Sequence, residues 1–337
     1  MPAAVAEAGV LALAAGHTAK DMLGRVKIFF AGATGVLGRR ILPLLVKGGH
    51  EVTAMTRSEA RIEGLRSAGA TPVVCDVFDA EALRDAVAAA APQVVLHELT
   101  DLPPNIDPRK ADEQTAGNDR IRTEGTKNLV AAALAAGASR MVAQSISFAY
   151  APTGEPVKNE EDSLYDDAPW PFSRSVEALH ALEGAVTQTE GIDGIVLRYG
   201  FFYGPGSSYA SDGYWADQVR KRRFPIVGNG AGTFSYIHVD DAAAATVAAV
   251  QGRQTGIYNI VDDDPAPVRE WLPVYAEAVG AKKPRRVPAF IARFVAGQYA
   301  VMLATQLRGA SNAKAKRELG WTPRYASWRQ GFREALG

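Results

Sequence analysis

A run of seven residues, Gly32-Ala33-Thr34-Gly35-Val36-Leu37-Gly38, constrains this chain more than any other feature. It follows directly from the short apolar β run Val26–Ala31 and opens the helical stretch Val36–Lys47. Gly32 permits a tight turn, Gly35 lets the backbone approach a pyrophosphate, and Gly38 lets the helix pack close to the strand. Free N–H groups and the positive helix end then face the phosphates. A glycine-rich turn with no ligand is the plain alternative, but strand, turn and helix together are the context a dinucleotide site needs.

Beyond this turn the apolar spacing keeps switching between strand and helix periods. Strands are predicted at Glu51–Thr56, Thr71–Cys75, Pro92–Leu96, Ser139–Ser145 and Gly194–Tyr199. Helices are predicted between them, at Ser58–Ser67, Ala80–Ala89, Asp112–Ala136 and Ser175–Thr189. Strands separated by helices mean βαβ units on a parallel sheet, so the expected class is α/β, a Rossmann-type doubly wound sheet. After Tyr199 the segments Phe201–Tyr214 and Phe224–Tyr236, rich in Gly, Pro and aromatics, break the pattern, and a helix is predicted over Val268–Val279. The expected organisation is an extension over 1–24 and a dinucleotide-binding domain over 25–200, with 237–262 returning to it. Residues 201–236 and 263–337 then form a smaller C-terminal substrate-binding domain. Ligands of open α/β sheets lie at the carboxyl ends of the strands, which puts the cleft between the two parts.

Charge and cysteine content narrow the function classes. Lys and Arg number 37 against 37 Asp and Glu, and a net charge of zero lacks the field that nucleic-acid binding uses. The greasiest segment, Ala289–Leu307, is interrupted by Arg293, Gln298 and Gln306, so it is no clean ~20-residue membrane span. Met1–Gly24 carries Glu7 and no Lys or Arg before Lys20, a poor secretory signal. The single cysteine, Cys75, excludes an internal disulfide. His17, His50 and His180 lack metal-ligand spacing, and no metal is expected. These readings point to a cytoplasmic protein with neither nucleic-acid nor membrane partners.

The tip of the second strand bears on which dinucleotide binds. Thr56-Arg57-Ser58 stands there, with Arg61 one turn on and no carboxylate at the tip. An acidic residue suits a ribose 2′-hydroxyl and a cation suits a 2′-phosphate, so Arg57 favours NADP(H) over NAD(H), which stays possible. A solvated surface arginine is the competing explanation. Asp76, after Cys75 on the third strand, suits the adenine amino group, or alternatively caps the next helix.

Five segments together resemble the extended short-chain dehydrogenase/reductase family, the NAD(P)-dependent epimerase/dehydratase type. They are Gly32–Gly38, Glu124-Gly125-Thr126-Lys127-Asn128-Leu129, Arg198–Gly206, Tyr236-Ile237-His238-Val239-Asp240-Asp241 and Ala315–Trp321, in family order from Val26 to the C-terminus. The resemblance implies a cofactor held along Gly32–Gly38, by Val77 after the third strand, and by His97-Glu98-Leu99 after the fourth. It also implies contacts from Gln144 on the fifth strand and from Tyr199-Gly200-Phe201-Phe202 beneath the nicotinamide. The His97-Glu98 pair is unusual there, and loop orientation explains it equally well.

The same resemblance implies a Ser or Thr, a Tyr and a Lys at catalytic positions, and here those positions fall on Ile146, Phe172 and Val176. No tyrosine between Ser145 and Arg198 is followed four residues later by lysine. This is similar to an atypical branch that keeps the cofactor and loses the standard proton donor, because phenylalanine and valine neither donate nor tune a proton. Ser145, Ser147, Tyr150 and Tyr203 are the candidate replacements. Phe148, Phe172, Phe201, Phe202, Tyr209, Tyr214 and Trp215 suit a small hydrophobic substrate or, alternatively, the core. The expected activity is therefore NADP(H)-dependent reduction of a hydrophobic carbonyl or enone. A dinucleotide-binding sensor without turnover, or a nucleotide-sugar epimerase or dehydratase, is the alternative. Fold analogy adds a homodimer through the helices around Ile121–Ala136 and Ser175–Thr189.

Overall fold

The computed structural model describes residues 24–103 and 107–336, so the extension expected at the N-terminus, apart from Gly24, lies outside the described residues. The strands are β1 (Lys27–Ala31), β2 (Glu51–Thr56), β3 (Thr71–Val74), β4 (Val94–His97), β5 (Arg140–Ile146) and β6 (Asp193–Tyr199). They are followed by the short β7 (Phe201–Tyr203) and β8 (Tyr236–His238), and then β9 (Gly256–Ile260). Seven of them form one sheet in the order β9-β6-β5-β4-β1-β2-β3. Every neighbouring pair in it is parallel, with Ala31 opposite His97 and Ile146 opposite Tyr199.

The helices are α1 (Gly38–Lys47), α2 (Ile62–Ser67), α3 (Ala80–Ala90), α4 (Ala111–Arg120), α5 (Thr126–Ala135), α6 (Phe172–Thr187) and α7 (Val239–Gln251). Successive strand residues face opposite sides, and the helices cover both. Ile28, Phe30, Leu96, Val142 and Leu197 pack with Leu42 and Leu45 of α1 and Ala245 and Ala249 of α7. Phe29, Val95, Met141 and Val196 pack with Leu83 of α3, Leu129 of α5 and Leu182 of α6. Burial on both faces explains why these strands read as nearly continuous apolar runs.

Two helices depart from expectation. The predicted helix over Asp112–Ala136 is α4 and α5 joined by a π-turn at Ile121–Gly125, where the Thr126 N–H donates to the Ile121 carbonyl. The predicted Ser58–Ser67 helix is a 3₁₀ turn at Glu59–Arg61 followed by α2.

Beyond the sheet, α8 (Val268–Ala278), α9 (Ala289–Thr305), α10 (Ala313–Leu319) and α11 (Trp328–Leu336) surround a second core. Tyr203, Tyr236, Trp271, Tyr275 and Phe332 are buried in it. Gly297, at φ 86° and ψ 170°, breaks α9. No helix among the described residues is long and apolar enough to cross a membrane.

Candidate functional site

The cleft lies over the carboxyl ends of β1, β2 and β4. Gly32, Thr34, Gly35, Thr56, Arg57, Val77, Glu98 and Leu99 line it, joined by Met55, Phe78, Thr100 and Ile121. A Cβ on Gly32, whose φ is +108°, would lie 2.5 Å from the Glu98 backbone. A Cβ on Gly38 would lie 2.2 Å from the Gly32 carbonyl oxygen, so only glycine lets α1 begin this close to the turn. Ala33 and Leu37 are buried in the core beneath. The Arg39, Arg40 and Ile41 N–H groups donate back to the Gly35 and Leu37 carbonyls, so the turn runs straight into α1, and no side chain caps the helix at Leu37. A narrow glycine turn feeding a helix start without a side-chain cap, beside an open groove, fits the pyrophosphate and adenosine of a dinucleotide.

Arg57 stands at the β2 tip with its side chain 55% exposed and Asp101 3.8 Å away. Asp76 accepts the Phe78 N–H, while Asp79 caps α3 by accepting from the Ala82 N–H. The alternative of Asp76 as that helix's cap is therefore wrong; the helix starts three residues later than that reading requires.

His97 and Glu98 diverge. His97 Nδ1 accepts the Leu99 N–H at 3.3 Å, and Nε2 lies 3.0 Å from Thr126 Oγ1. Burial, with Arg122 nearby, holds its pKa down at about 4, so the neutral ring orients the loop after β4 from beneath the cleft. Glu98 is buried with its pKa pushed up to about 8 by desolvation, and it meets the Tyr199 hydroxyl at 3.1 Å. Tyr199 thus spends its phenol inside the sheet–helix layer. Gln144 is partly buried on β5. At Gly200 a Cβ would lie 2.6 Å from the Ser235 carbonyl oxygen. Phe202 packs on Tyr199 at 5.4 Å between ring centroids. Phe201 stacks on Phe148 at 4.2 Å and on Phe234 at 4.5 Å.

Two of the four candidate proton donors are engaged in the interior and a third is buried in the second core. Ser145 Oγ donates to Glu183 Oε1 at 2.7 Å, and Arg198 grips that carboxylate at 2.8 and 2.6 Å. The Tyr150 hydroxyl accepts from Arg198 and donates to Asn259 Oδ1, both at 2.8 Å. Burial lifts its pKa to about 12. These side chains form one buried network that ties β5 to α6, β6 and β9. Tyr203 is fully buried, with its phenol against Gly331 and Phe332 of α11. The expectation that Ser145, Tyr150 or Tyr203 donates a proton to substrate is corrected on these grounds: none reaches the cleft. Ser147 Oγ is buried with no partner among the described residues.

The first turn of α6 presents Phe172 and Val176, both buried. Two residues beside them were not legible as site residues in the sequence. Arg122 sits on the π-turn, buried, with its nearest ionic partner, Asp119, at 3.6 Å. Tyr299, just past the break in α9, places its ring 5.8 Å from Phe172. Arg122 lies on the same inward face as the buried Asn118, Gly125 and Leu129, opposite the exposed Arg120–Glu124 pair.

The model of the NAD dependent epimerase/dehydratase family matches residues 28–261. A "3-diazoavenalumate denitrifying reductase" of a Streptomyces species is 46% identical over 309 residues, covering 91% of this chain and 99% of the relative. A 4-hydroxy-2-methyl-3-oxo-4-farnesyl-3,4-dihydroquinoline-1-oxide ketoreductase of Stigmatella aurantiaca is 27% identical, covering 89% of this chain and 92% of the relative. Among solved structures, the Bordetella bronchiseptica enzyme WbmG in complex with NAD and UDP superposes with a TM-score of 0.72 at 19% identity, covering 93% of each chain.

Proposed function

Because this chain belongs to the NAD-dependent epimerase/dehydratase family and is an oxidoreductase, we propose that it is an NADPH-dependent reductase that replaces the diazo group of a small aromatic acid by hydrogen. The observation that carries this reading is that the two α6 positions where the family resemblance puts Tyr and Lys hold the buried Phe172 and Val176, neither of which donates or tunes a proton. Carbonyl reduction needs a proton on oxygen as hydride arrives, a step that a positioned acid typically speeds ~10²–10⁴-fold. Displacement of dinitrogen has no such need at the reacting carbon. That carbon gains a C–H bond, its C–N bond breaks, and the electron pair leaves with N₂. The relative named as a denitrifying reductase of a diazo compound supports the same chemistry.

When bound, the nicotinamide supplies the hydride. The chain's own residues bind and orient. The glycine turn and the start of α1 hold the pyrophosphate, and Arg57 faces the ribose side, which favours a 2′-phosphate. His97 holds the loop after β4 against Thr126. The Phe148–Phe201 stack offers an apolar wall for the substrate ring.

Carbonyl or enone reduction is the second reading, favoured by the unpartnered Ser147 hydroxyl. The two readings separate by following NADPH oxidation with an ortho-quinone diazide acid and with a panel of ketones and enones. Stoichiometric NADPH loss with a product lacking both diazo nitrogens is expected. An inert diazo compound beside a reactive ketone would overturn the first reading.

A further inference from the structure

We propose that Arg122 and Tyr299 form an anion subsite that takes the carboxylate of an aromatic ligand at the first turn of α6. The proposal rests on reading the first turn of α6 as the substrate end of a reductase's site.

Arg122 is 8% exposed, and at 3.6 Å its contact with Asp119 Oδ1 is too long for a hydrogen bond. Asp119 Oδ2 accepts from Arg174 Nε at 2.9 Å and from Ser175 Oγ at 3.1 Å, while its Oδ1, the oxygen nearest Arg122, has no hydrogen-bond partner among the described residues. Asp112, the other partner of Arg174, is 56% exposed. Glu183, the next carboxylate whose charge Arg122 feels, is spent on Arg198. One buried carboxylate therefore faces two guanidinium groups. The donors of Arg122 meet no acceptor at hydrogen-bond distance among the described residues.

A guanidinium does not shed its proton, so burial without acceptors is costly. The Tyr299 hydroxyl likewise has no hydrogen-bond partner among the described residues. Burial pushes its pKa up to about 12, with the charge of Asp119 adding to the rise and Arg122 opposing it, so it stays a neutral donor. These donors come from the π-turn and from α9, beside the Phe172 ring. A planar guanidinium fork matches a carboxylate, a phenol supplies a further O–H, and Phe172 gives the ligand's ring an apolar contact.

The test uses the NADPH-loaded protein with 4-hydroxycinnamate and its uncharged methyl ester, titrated calorimetrically. The wild type should bind the acid about tenfold or more tightly than the ester, the scale of a charge-assisted contact. Arg122→Met should abolish that preference, Arg122→Lys should keep part of it, and Tyr299→Phe should lower it severalfold, all with NADPH affinity unchanged. Equal binding of acid and ester by the wild type, or a preference surviving in Arg122→Met, would overturn the proposal. Should Arg122→Met fail to fold, an unchanged preference in Tyr299→Phe overturns it instead. A clear acid preference without any diazo turnover would sink the proposed reaction and leave the subsite standing. Turnover of a diazo acid and its ester with equal KM would sink the subsite alone.

Discussion

The Tyr199 hydroxyl lies 3.1 Å from Glu98 Oε1 and 2.6 Å from Thr246 Oγ1, while Thr246 donates to the Ala242 carbonyl at 2.7 Å. With Glu98 protonated, a single chain of hydrogens runs from Glu98 through Tyr199 and Thr246 to that carbonyl. Ionised, Glu98 claims the only hydrogen Tyr199 has. This links a residue lining the cofactor cleft to α7 through the interior of the sheet.

Glu98 should make stability fall as pH rises. Its folded pKa, about 8, exceeds the ordinary carboxylate value because burial penalises the charge. The folded state therefore holds a proton that the unfolded chain releases, so this contribution is full below about pH 4 and is lost as pH rises through about 8. Glu98→Gln, which retains the hydrogen bond to Tyr199, should remove that slope. Thermal midpoints from pH 5 to 9 check it; parallel curves for variant and wild type would contradict it.

Arg57→Ala should weaken NADPH about tenfold or more and leave NADH nearly unchanged, because a charge-assisted contact to the 2′-phosphate is lost. Asp101 at 3.8 Å competes weakly for this exposed arginine. Fluorescence titration with both cofactors is the measurement, and equal losses for the two would reject the role.

Ser145→Ala and Glu183→Ala should separate structure from chemistry. Removing the serine deletes one hydrogen bond, about 1 kcal/mol, and should leave turnover near wild type. Removing Glu183 strands the buried Arg198, a loss of about 3–5 kcal/mol that should appear as a large drop in the thermal midpoint. A large fall in kcat for Ser145→Ala at unchanged stability would return Ser145 to the chemistry.

Tyr203→Phe should be neutral or stabilising and leave turnover unchanged. The phenol oxygen is buried without a partner among the described residues, so its removal relieves a desolvation cost of about 1–3 kcal/mol. Denaturant midpoints and steady-state rates decide it. A marked fall in kcat would mean that the phenol does reach substrate.

The cofactor cleft and the sheet were legible because their signals are local. The Gly32–Gly38 turn carries its geometry in adjacent residues, and strands buried on both faces announce themselves as apolar runs. Ser145 and Tyr150 misled because a hydroxyl near a strand tip reads alike whether it meets substrate or a buried carboxylate. The deciding partners, Glu183, Arg198 and Asn259, lie 38, 48 and 109 residues away.

By itself, then, the sequence determined a parallel α/β sheet with a dinucleotide turn, and Phe172 and Val176 at the positions where the family resemblance puts Tyr and Lys. The tertiary structure alone decided which polar groups are spent inside. It closed Ser145, Glu183, Arg198 and Tyr150 into one network, and it buried Arg122 at 3.6 Å from Asp119. It also brought Tyr299 across from α9, 127 residues beyond Phe172, to within 5.8 Å of that ring. The physical reason is that hydrogen-bond satisfaction and burial depend on neighbours brought together by folding, whereas backbone turns and apolar periodicity depend on residues already adjacent in the chain.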